Sequence, residues 1–444
     1  MNRHWVKWLP APLSSRLEGR PGLQGILGNT GWHLADKALR LGVGLLVGVW
    51  VARYLGPGGF GALSFAQAFV ALFATCASLG LDSIVVRDIV RHPGSKEETL
   101  GSAFLLKLAG GIICLLLTAL LSGVMYAGDR LTQLLVTVIA CGTIFQAFDV
   151  VDFWFQSQVN AKYTVCARNA AFLLISGVKI VLVLKKAPLV MFALAGLSEI
   201  ALGALGLVLA YRLSGHSLAS WRPRKARAAQ LLSASWPLIL SGLAVMIYLR
   251  IDQVMLKHMV SDQEVGFYSA ALRISEVWYV IPGAIVSSVF PSIIETKQSC
   301  EVTYQAKLQN LHNVMTAISL SISLPISLLA ANIIHLLYGP SYHDSALILT
   351  ISIWTSFFVF HGVARGPWII AEGLQKFSFF SLAAGAVANV VLNLFLIPLY
   401  QAKGAVLATL LTQIIVTMLA PLILPQTRPS VLRVLRSFFL LPRW

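Results

Sequence analysis

Ionisable side chains within apolar runs are the residues of this sequence best suited to chemistry. They are Glu199, Arg250, Asp252, Arg273 and Glu276. A charge at the middle of a bilayer costs roughly 2.5–3.5 kcal/mol even on the mild insertion scale, so it normally faces a cavity or a partner. Arginine suits phosphate because its planar fork bonds two oxygens at once, and a carboxylate can bind a proton or a sodium ion. These residues predict a cationic, water-filled cavity for an anionic headgroup. The carboxylates would tune the charge of the cavity or couple transport to an ion.

Two further cations are predicted to add to the positive charge around this cavity. Lys179 lies in the outer part of its apolar run, and Arg40 follows Asp36 by four residues, so that the two can pair on one helical face. The expected substrate-binding residues are Arg250, Arg273, Arg40 and Lys179, and the expected ion-coupling residues are Asp252, Glu276 and Glu199. Two structural alternatives stay open. The neighbouring Arg273 and Glu276 could form a buried ion pair that locks two helices, and the first helix could begin as an interfacial segment.

Other charges have a simpler interpretation. Lys107, Arg168 and Arg365 lie within a few turns of the predicted cytoplasmic side, where snorkelling of a long side chain is a sufficient explanation. Asp149 and Asp152 flank an aromatic run that is typical of the belt at a membrane interface. We therefore prefer a structural role for these five residues.

The elements that must carry these charges are transmembrane helices. The 444-residue chain is 57% hydrophobic and 12% charged, with a mean hydropathy of +0.77, whereas a soluble domain is about 25% charged. Its apolar runs approach the roughly 20 residues that cross a hydrocarbon core of about 30 Å, which predicts an all-α integral membrane protein of about twelve transmembrane helices. The expected spans are 30–54, 60–79, 100–121, 131–151, 164–184, 189–211, 231–255, 265–290, 311–337, 346–368, 377–399 and 404–424.

Lysine and arginine are concentrated in alternate loops, which indicates the orientation. If the N-terminus is cytoplasmic, most of them fall on the cytoplasmic side, including Arg3, Lys7, Arg16, Arg20 and Arg443. Both termini are then cytoplasmic, and the number of spans is even. The expected division is an N-terminal tail (1–28), an N-lobe (29–211), a basic cytoplasmic linker (212–230), a C-lobe (231–425) and a basic cytoplasmic tail (426–444).

The two halves of the chain echo each other at an offset of about 205 residues. Residues 29–32 open a span in the first half as residues 233–236 do in the second, and residues 60–66 correspond to residues 265–271. Both halves would therefore enter the membrane in the same direction. This pattern predicts a parallel repeat about an axis along the membrane normal, with two six-helix lobes and a site between them.

Several function classes are disfavoured. The net charge is +16 and the pI about 9.9, but the basic residues lie in loops between apolar spans, and no basic segment with interleaved aromatics indicates nucleic-acid binding. No GxxxxGK[ST] sequence is present, so no ATPase of that kind is built in. The five cysteines lack metal-ligand spacing. We expect no metal or other cofactor, and with no catalytic constellation in view we do not expect an enzyme.

Several sequence blocks, in their order and spacing, resemble a known family. The main blocks are ARYLGPGGFGALSFA (52–66), SLGLDSIVVRDIV (78–90), YLRIDQVML (248–256) and VGFYSAA (265–271). Shorter matches follow at 290–291, 337–342, 393–398 and 404–405. Over roughly residues 25–425 the chain resembles the Wzx-type polysaccharide-biosynthesis flippases, a branch of the superfamily of multidrug, oligosaccharidyl-lipid and polysaccharide exporters. The long N-terminal tail departs from that pattern.

The resemblance implies a fold and a function. Such proteins have two six-helix lobes around a central cavity that opens to alternate sides. The flippase branch moves an undecaprenyl-pyrophosphate-linked oligosaccharide from the cytoplasmic to the periplasmic leaflet of the bacterial inner membrane, for O-antigen or exopolysaccharide synthesis. Arg250, Arg273 and Arg40 would then offer a site for the pyrophosphate. Coupling to H+ or Na+ and contacts with other polysaccharide-assembly membrane proteins are expected.

Two alternatives remain at this point. A multidrug or cation exporter of the same superfamily would share the fold and the repeat, but it would need a net acidic or apolar cavity. A membrane polysaccharide polymerase would match in span count, but it usually carries a sizeable periplasmic loop with catalytic groups. The arginines disfavour the first alternative, and the short outer loops disfavour the second.

Overall fold

The computed structural model describes residues 21–439, without the side chains of residues 21–30, 33 and 34. The expected tail residues Arg3, Lys7, Arg16, Arg20 and Arg443 lie outside the described residues. The described residues form helices joined by short turns and loops and contain no strand. The helices of the first half are α1 (Pro21–Ser78), α2 (Asp82–Arg91), α3 (Lys96–Met125), α4 (Arg130–Phe145), α5 (Asp149–Ser157), α6 (Ala161–Leu184) and α7 (Leu189–Leu213).

The second half continues in the same way. Its helices are α8 (Lys225–Met259), α9 (Asp262–Glu276), α10 (Val280–Ser299), α11 (Glu301–Tyr338), α12 (Ser345–Ala364), α13 (Gly366–Ala371), α14 (Gln375–Ile414), α15 (Ala420–Ile423) and α16 (Arg428–Ser437). A π-helical turn, Ile415–Leu419, joins α14 to α15. The expected eighth span is divided between α9 and α10, which a short 3-10 turn connects.

Two helices are long enough to supply two spans each. Within the described residues, ten helical stretches are long and apolar enough to cross a membrane, and two of them run to 57 and 49 residues. The first bends at Gly56 (φ 67°), a backbone conformation that favours glycine, directly before Pro57. The second bends at Gln401 (φ 54°), three residues after Pro398. Since about 20 residues cross a bilayer, twelve spans fit these ten stretches. The all-α membrane fold is confirmed.

The helices group into two compact units. The first unit contains the described residues up to Gly48 together with Phe73–Ile239, and the second contains Val49–Leu72 together with the described residues from Leu240 onward. The sequence placed residues 49–72 in the N-lobe, whereas their contacts group them with the second unit. The division into lobes at the linker 212–230 stays a prediction.

A reciprocal glycine contact explains why residues 49–72 pack in the second unit. A Cβ atom built on Gly61 would lie 1.7 Å from the carbonyl oxygen of Asp262, and one built on Gly266 would lie 2.0 Å from the carbonyl oxygen of Pro57. Gly61 corresponds to Gly266, and Pro57 corresponds to Asp262, at the offset of about 205 residues. Each copy of the repeat therefore places its glycine against the backbone of the other copy. Two helix backbones can approach this closely only where no side chain separates them.

We predict that Gly266→Ala lowers the stability of the protein. The added Cβ must push the backbone of Pro57 away, and overpacking of this kind typically costs about 1–3 kcal/mol. The measurement is the thermal unfolding of the purified protein in detergent. Gly283→Ala is the matched control, because a Cβ at Gly283 meets no atom within 4 Å. Equal unfolding temperatures for the two variants would show that the close contact does not constrain the fold.

Candidate functional site

Three of the predicted site residues line one cavity in the second unit. The cavity has a volume of about 280 Å³ and lies between α8, α9 and the helix that follows Gly56. Its charged lining consists of Arg250, Arg273 and Glu276. Its other lining residues are Ser64, Gln67, Ala68, Ala71, Gln253, Ser269 and Leu272. With two cations and one carboxylate, the charged lining of the cavity is net positive.

Neither of the two arginines of this cavity forms a close ion pair with a carboxylate of the described residues. Arg250 Nη2 lies 3.6 Å from Glu276 Oε2, which is too long for a direct hydrogen bond, and these side chains are 32% and 30% exposed. The guanidinium of Arg273 stacks on the ring of Phe60, 4.8 Å from its centroid. Among residues 21–439, no carboxylate lies within ion-pair distance of Arg273, so the structural alternative of an Arg273–Glu276 ion pair is not formed. The guanidinium donors of Arg273 remain available to an anion.

The repeat explains the asymmetry of this cavity. At the offset of about 205 residues, Ser64 corresponds to Ser269, and Ala68 corresponds to Arg273. All four line the cavity. The fold therefore supplies two similar helices, and the sequence places an arginine on only one of them.

Asp252 faces the opposite side of α8 from Arg250. Residues two apart on a helix point about 200° apart around its axis. Asp252 accordingly lines a second cavity of about 440 Å³, between α8, α9, α12 and α14. Leu272 and Glu276 line both cavities, so Glu276 adjoins the cavity of the arginines and that of Asp252.

Neutral donors surround the Asp252 carboxylate, which is 2% exposed. Oδ2 accepts hydrogen bonds from the hydroxyls of Tyr268 and Thr409, and Oδ1 accepts one from Asn393 Nδ2 at 2.6 Å. Asn393 Nδ2 also contacts Asn389 Oδ1 at 3.3 Å. In the part of the chain that the structure describes, no cation lies within ion-pair distance of Asp252. A buried charge without an ionic partner is costly, so this site favours a bound proton or cation.

An unpartnered oxygen lies beside Asp252. Asn393 Oδ1 and Asn389 Nδ2 are buried and have no hydrogen-bond partner among the described residues. Asp252, Asn393 and the partly buried Thr409 bring oxygen atoms to this site, and oxygens are the hard donors that small cations prefer. The described residues contain no group of three or more His, Cys, Asp and Glu side chains able to hold a metal ion.

Arg40, Lys179 and Glu199 meet in the first unit. Lys179 Nζ lies 2.9 Å from Glu199 Oε2, and Arg40 Nη1 lies 4.0 Å from Glu199 Oε1. Arg40 Nε also pairs with Asp36 Oδ1 at 2.8 Å, as the spacing of four predicted. These side chains are between a quarter and a third exposed. The four charges balance, so neither the cations nor Glu199 is as available as the groups of the second unit.

The snorkelling interpretation is wrong for two of the three cations to which it was applied. Lys107 is 5% exposed and lies 3.7 Å from Asp149 Oδ2. Arg365 is 4% exposed and donates to the carbonyl oxygens of Thr417 and Val416, in the π-helical turn after α14. A π turn leaves carbonyl groups without helical partners, and a buried guanidinium can bond them. Arg168 is more exposed and bridges the carboxylates of Asp149 and Asp152 at 2.8 and 3.3 Å.

Sequence reasoning missed the partners of Asp252. Tyr268 and Asn393 appeared only inside family-like blocks, and Asn389 and Thr409 were not singled out. The available signal was a pair of asparagines four residues apart in an apolar span, which places both side chains on one helical face. Buried amides in a membrane need partners in the same way as charges do.

The fold and these sites define an integral membrane protein whose internal cavities are lined by buried charges, an arrangement suited to carrying a polar group through a bilayer. The family model described as "Polysaccharide biosynthesis protein" matches residues 26–297, more than half of the chain. The chain belongs to this family, and the expected family resemblance is confirmed.

Curated relatives come from the archaeon Haloferax volcanii. The chain is 30% identical to the "Probable flippase AglR" over 46% of this chain and 45% of that protein. It is 25% identical to the "Probable low-salt glycan biosynthesis flippase Agl15" over 83% of this chain and 77% of that protein. The first match therefore spans less than half the length of its relative.

Solved structures show the same fold at low identity. The "Lipid II flippase MurJ, inward closed conformation" superposes with a TM-score of 0.72 at 15% identity, covering 93% of this chain and 91% of that chain. An inward-facing multidrug resistance MATE family transporter of the MOP superfamily gives a TM-score of 0.69 at 16% identity, covering 90% and 94%. Since both flippases and drug exporters adopt this fold, the site must distinguish between them.

Proposed function

We propose that this protein is a flippase that moves a pyrophosphate-linked oligosaccharide on an undecaprenyl carrier between the leaflets of a membrane. The single observation that carries the proposal is the guanidinium of Arg273, which faces an internal cavity without a carboxylate partner among the described residues and beside a second arginine. A pyrophosphate offers several oxygens in the geometry that arginine bonds bidentately. The relatives named as flippases support the same function.

We also propose a direction and a location, for which the charges in the loops give support. The excess of lysine and arginine on one side supports an inner membrane location with both termini in the cytoplasm. Transport would then run from the cytoplasmic to the periplasmic leaflet, for surface polysaccharide such as O-antigen or exopolysaccharide. The membrane proteins that consume the flipped oligosaccharide are the expected partners.

We assign the coupling ion to Asp252 rather than to the other two predicted carboxylates. Glu199 is engaged by Lys179, and Glu276 faces Arg250. Among the described residues Asp252 has only neutral donors, and the Asn393 oxygen that lacks a partner there suits Na+ better than H+, because a proton needs one acceptor and a metal ion needs several. Arg40 and Lys179 form a second, charge-balanced cluster that could accept an anion only by releasing Glu199 or Asp36.

The drug-exporter alternative fits the cavity less well. A net positive cavity repels organic cations, and Arg273, which has no carboxylate partner among the described residues, would have to be desolvated beside them without compensation. The larger cavity, which Asp252 and Glu276 line, is the feature of the second unit nearest to what a cation exporter would need, so a transport test must separate the two functions.

The test is flipping in proteoliposomes that contain the full chain. A fluorescent undecaprenyl-pyrophosphate oligosaccharide is compared with the matching monophosphate and with a fluorescent organic cation. We expect protein-dependent movement of the pyrophosphate compound, slower movement of the monophosphate, and none of the cation. Movement of the cation alone, under any ion gradient, would replace the flippase proposal with the exporter alternative.

A further inference from the structure

A short arginine-bearing segment follows the last helix of each copy of the repeat. Residues 222–227 (RPRKAR) follow α7, and residues 428–433 (RPSVLR) follow α15. The two segments are related by an offset of about 206 residues. In the first, Arg227 donates to Thr99 Oγ1 at 3.1 Å, and in the second Arg433 donates to Gln305 Oε1 at 2.6 Å. The two partners are related by the same offset, so one contact occurs twice.

The two segments differ in how their charges are satisfied. In the first, Arg224 pairs with Glu98 at 3.2 Å and Arg227 pairs with Asp88 at 3.1 Å. In the second, no carboxylate of the described chain lies within ion-pair distance of Arg428, Arg433 or Arg436. Arg433 is buried against Trp368, but Arg428 and Arg436 are exposed. These two positive charges therefore have no anionic partner within the described protein.

The position of α16 at the membrane surface follows from its connection. The last apolar stretch ends at Ile423, and α16 begins at Arg428. The intervening turn is tied to the end of that stretch, because the Thr427 hydroxyl donates to the carbonyl oxygen of Pro421 at 2.6 Å. A helix that starts within about one turn of a membrane span begins close to the interface.

One face of α16 packs on α11, and the other is exposed and apolar. Val431 and Val434 are buried, and Ser437 bonds Thr316 at 2.6 Å. On the opposite face, the exposed apolar side chains are Leu432 (50%) and Leu435 (45%), and Phe438 (52%) and Phe439 (87%) are exposed directly after the helix. Arg428, Leu432 and Arg436 follow each other at intervals of four, so the arginines lie about 12 Å apart along the face that carries Leu432.

We propose that α16 binds anionic phospholipid, with Arg428 and Arg436 on the phosphate groups and with Leu432, Leu435 and Phe439 in the boundary of the acyl chains. Apolar side chains flanked by arginines are the composition of interfacial helices that recognise negatively charged leaflets. In the first segment Arg224 and Arg227 pair with Glu98 and Asp88, and the remaining exposed cations, Arg222 and Lys225, have no large apolar side chain between them. This site is separate from the cavities of the second unit and does not depend on the transport proposal.

Native mass spectrometry of the full chain in detergent tests this site. The protein is titrated with dioleoyl-phosphatidylglycerol or dioleoyl-phosphatidylcholine, and the bound lipid per protein is counted. We expect wild type to prefer phosphatidylglycerol and Arg428→Gln/Arg436→Gln to bind it about 30-fold more weakly, from roughly 5-fold per arginine. Leu432→Ser/Phe439→Ser should weaken the binding of both lipids.

A matched control removes two exposed cations from the first segment. Arg222→Gln/Lys225→Gln has the same loss of net charge and should keep the preference for phosphatidylglycerol. Equal binding of the two lipids to wild type, or an equal loss in the control, would overturn the assignment. The same spectra report oligomeric state, and a dimer that dissociates in the Leu432/Phe439 variant without any lipid preference would show that a second copy occupies this face instead.

Discussion

Arg273→Ala is expected to lower the rate of flipping of the pyrophosphate-linked substrate by about 10- to 100-fold. A decrease of this size corresponds to the free energy of one or two charge-assisted hydrogen bonds. The Arg273 guanidinium lies on Phe60 with no carboxylate partner among the described residues, so removing it leaves no buried anion behind. The variant should therefore fold normally. Initial rates of flipping in proteoliposomes, at several substrate concentrations, measure the effect.

Two further variants separate charge from geometry in this cavity. Arg273→Lys keeps the charge but not the fork, and we expect it to recover only part of the activity. Glu276→Gln removes the carboxylate next to Arg250 and makes the cavity more positive, so it should bind the pyrophosphate at least as well as wild type does. The monophosphate should be less sensitive to Arg273→Ala than the pyrophosphate. Wild-type rates for Arg273→Ala with both substrates would reduce this arginine to a packing residue on Phe60.

The sequence predicted the membrane fold because composition and span length depend little on tertiary contacts. Runs of apolar residues, the repeat and the loop charges can all be read without knowing which helices touch. It also assigned Arg250 and Arg273 to one site, because both lie within apolar runs of consecutive expected spans. The bends at Gly56 and Gln401 were predicted only as short turns, because helix continuity through a bend depends on local backbone angles.

Pairing of the charges could not be predicted in the same way. Which carboxylate meets which cation depends on the rotation of each helix about its axis, and a change of two residues turns a side chain to the opposite face. For this reason Glu199, Glu276 and Asp252 were equivalent in the sequence, whereas in the structure only Asp252 lacks a cation among the described residues. The grouping of residues 49–72 with the second unit similarly depends on a backbone contact between Gly61 and Gly266.

The difference between Asp252 and the other two carboxylates leads to the second large effect that we expect. Asp252→Asn removes the charge while keeping the shape, and the hydroxyls of Tyr268 and Thr409 can turn to accept hydrogen bonds from the new amide. Wild-type protein should gain thermal stability in Na+ relative to choline. A ligand at 100 times its Kd stabilises by about 2.7 kcal/mol, and Asp252→Asn should abolish this gain.

Glu199→Gln and Glu276→Gln are the matched controls for Asp252→Asn, since each also removes one buried or half-buried carboxylate. Both should keep the Na+-dependent shift in unfolding temperature, and Asn393→Ala should reduce it, because Asn393 supplies the free oxygen beside Asp252. A shift that survives in Asp252→Asn would exclude this site. If instead wild type shows no response to Na+ but its stability changes with pH, and Asp252→Asn removes that change, the coupling ion is a proton held by the same carboxylate, and the Asn393 oxygen has no part in binding it.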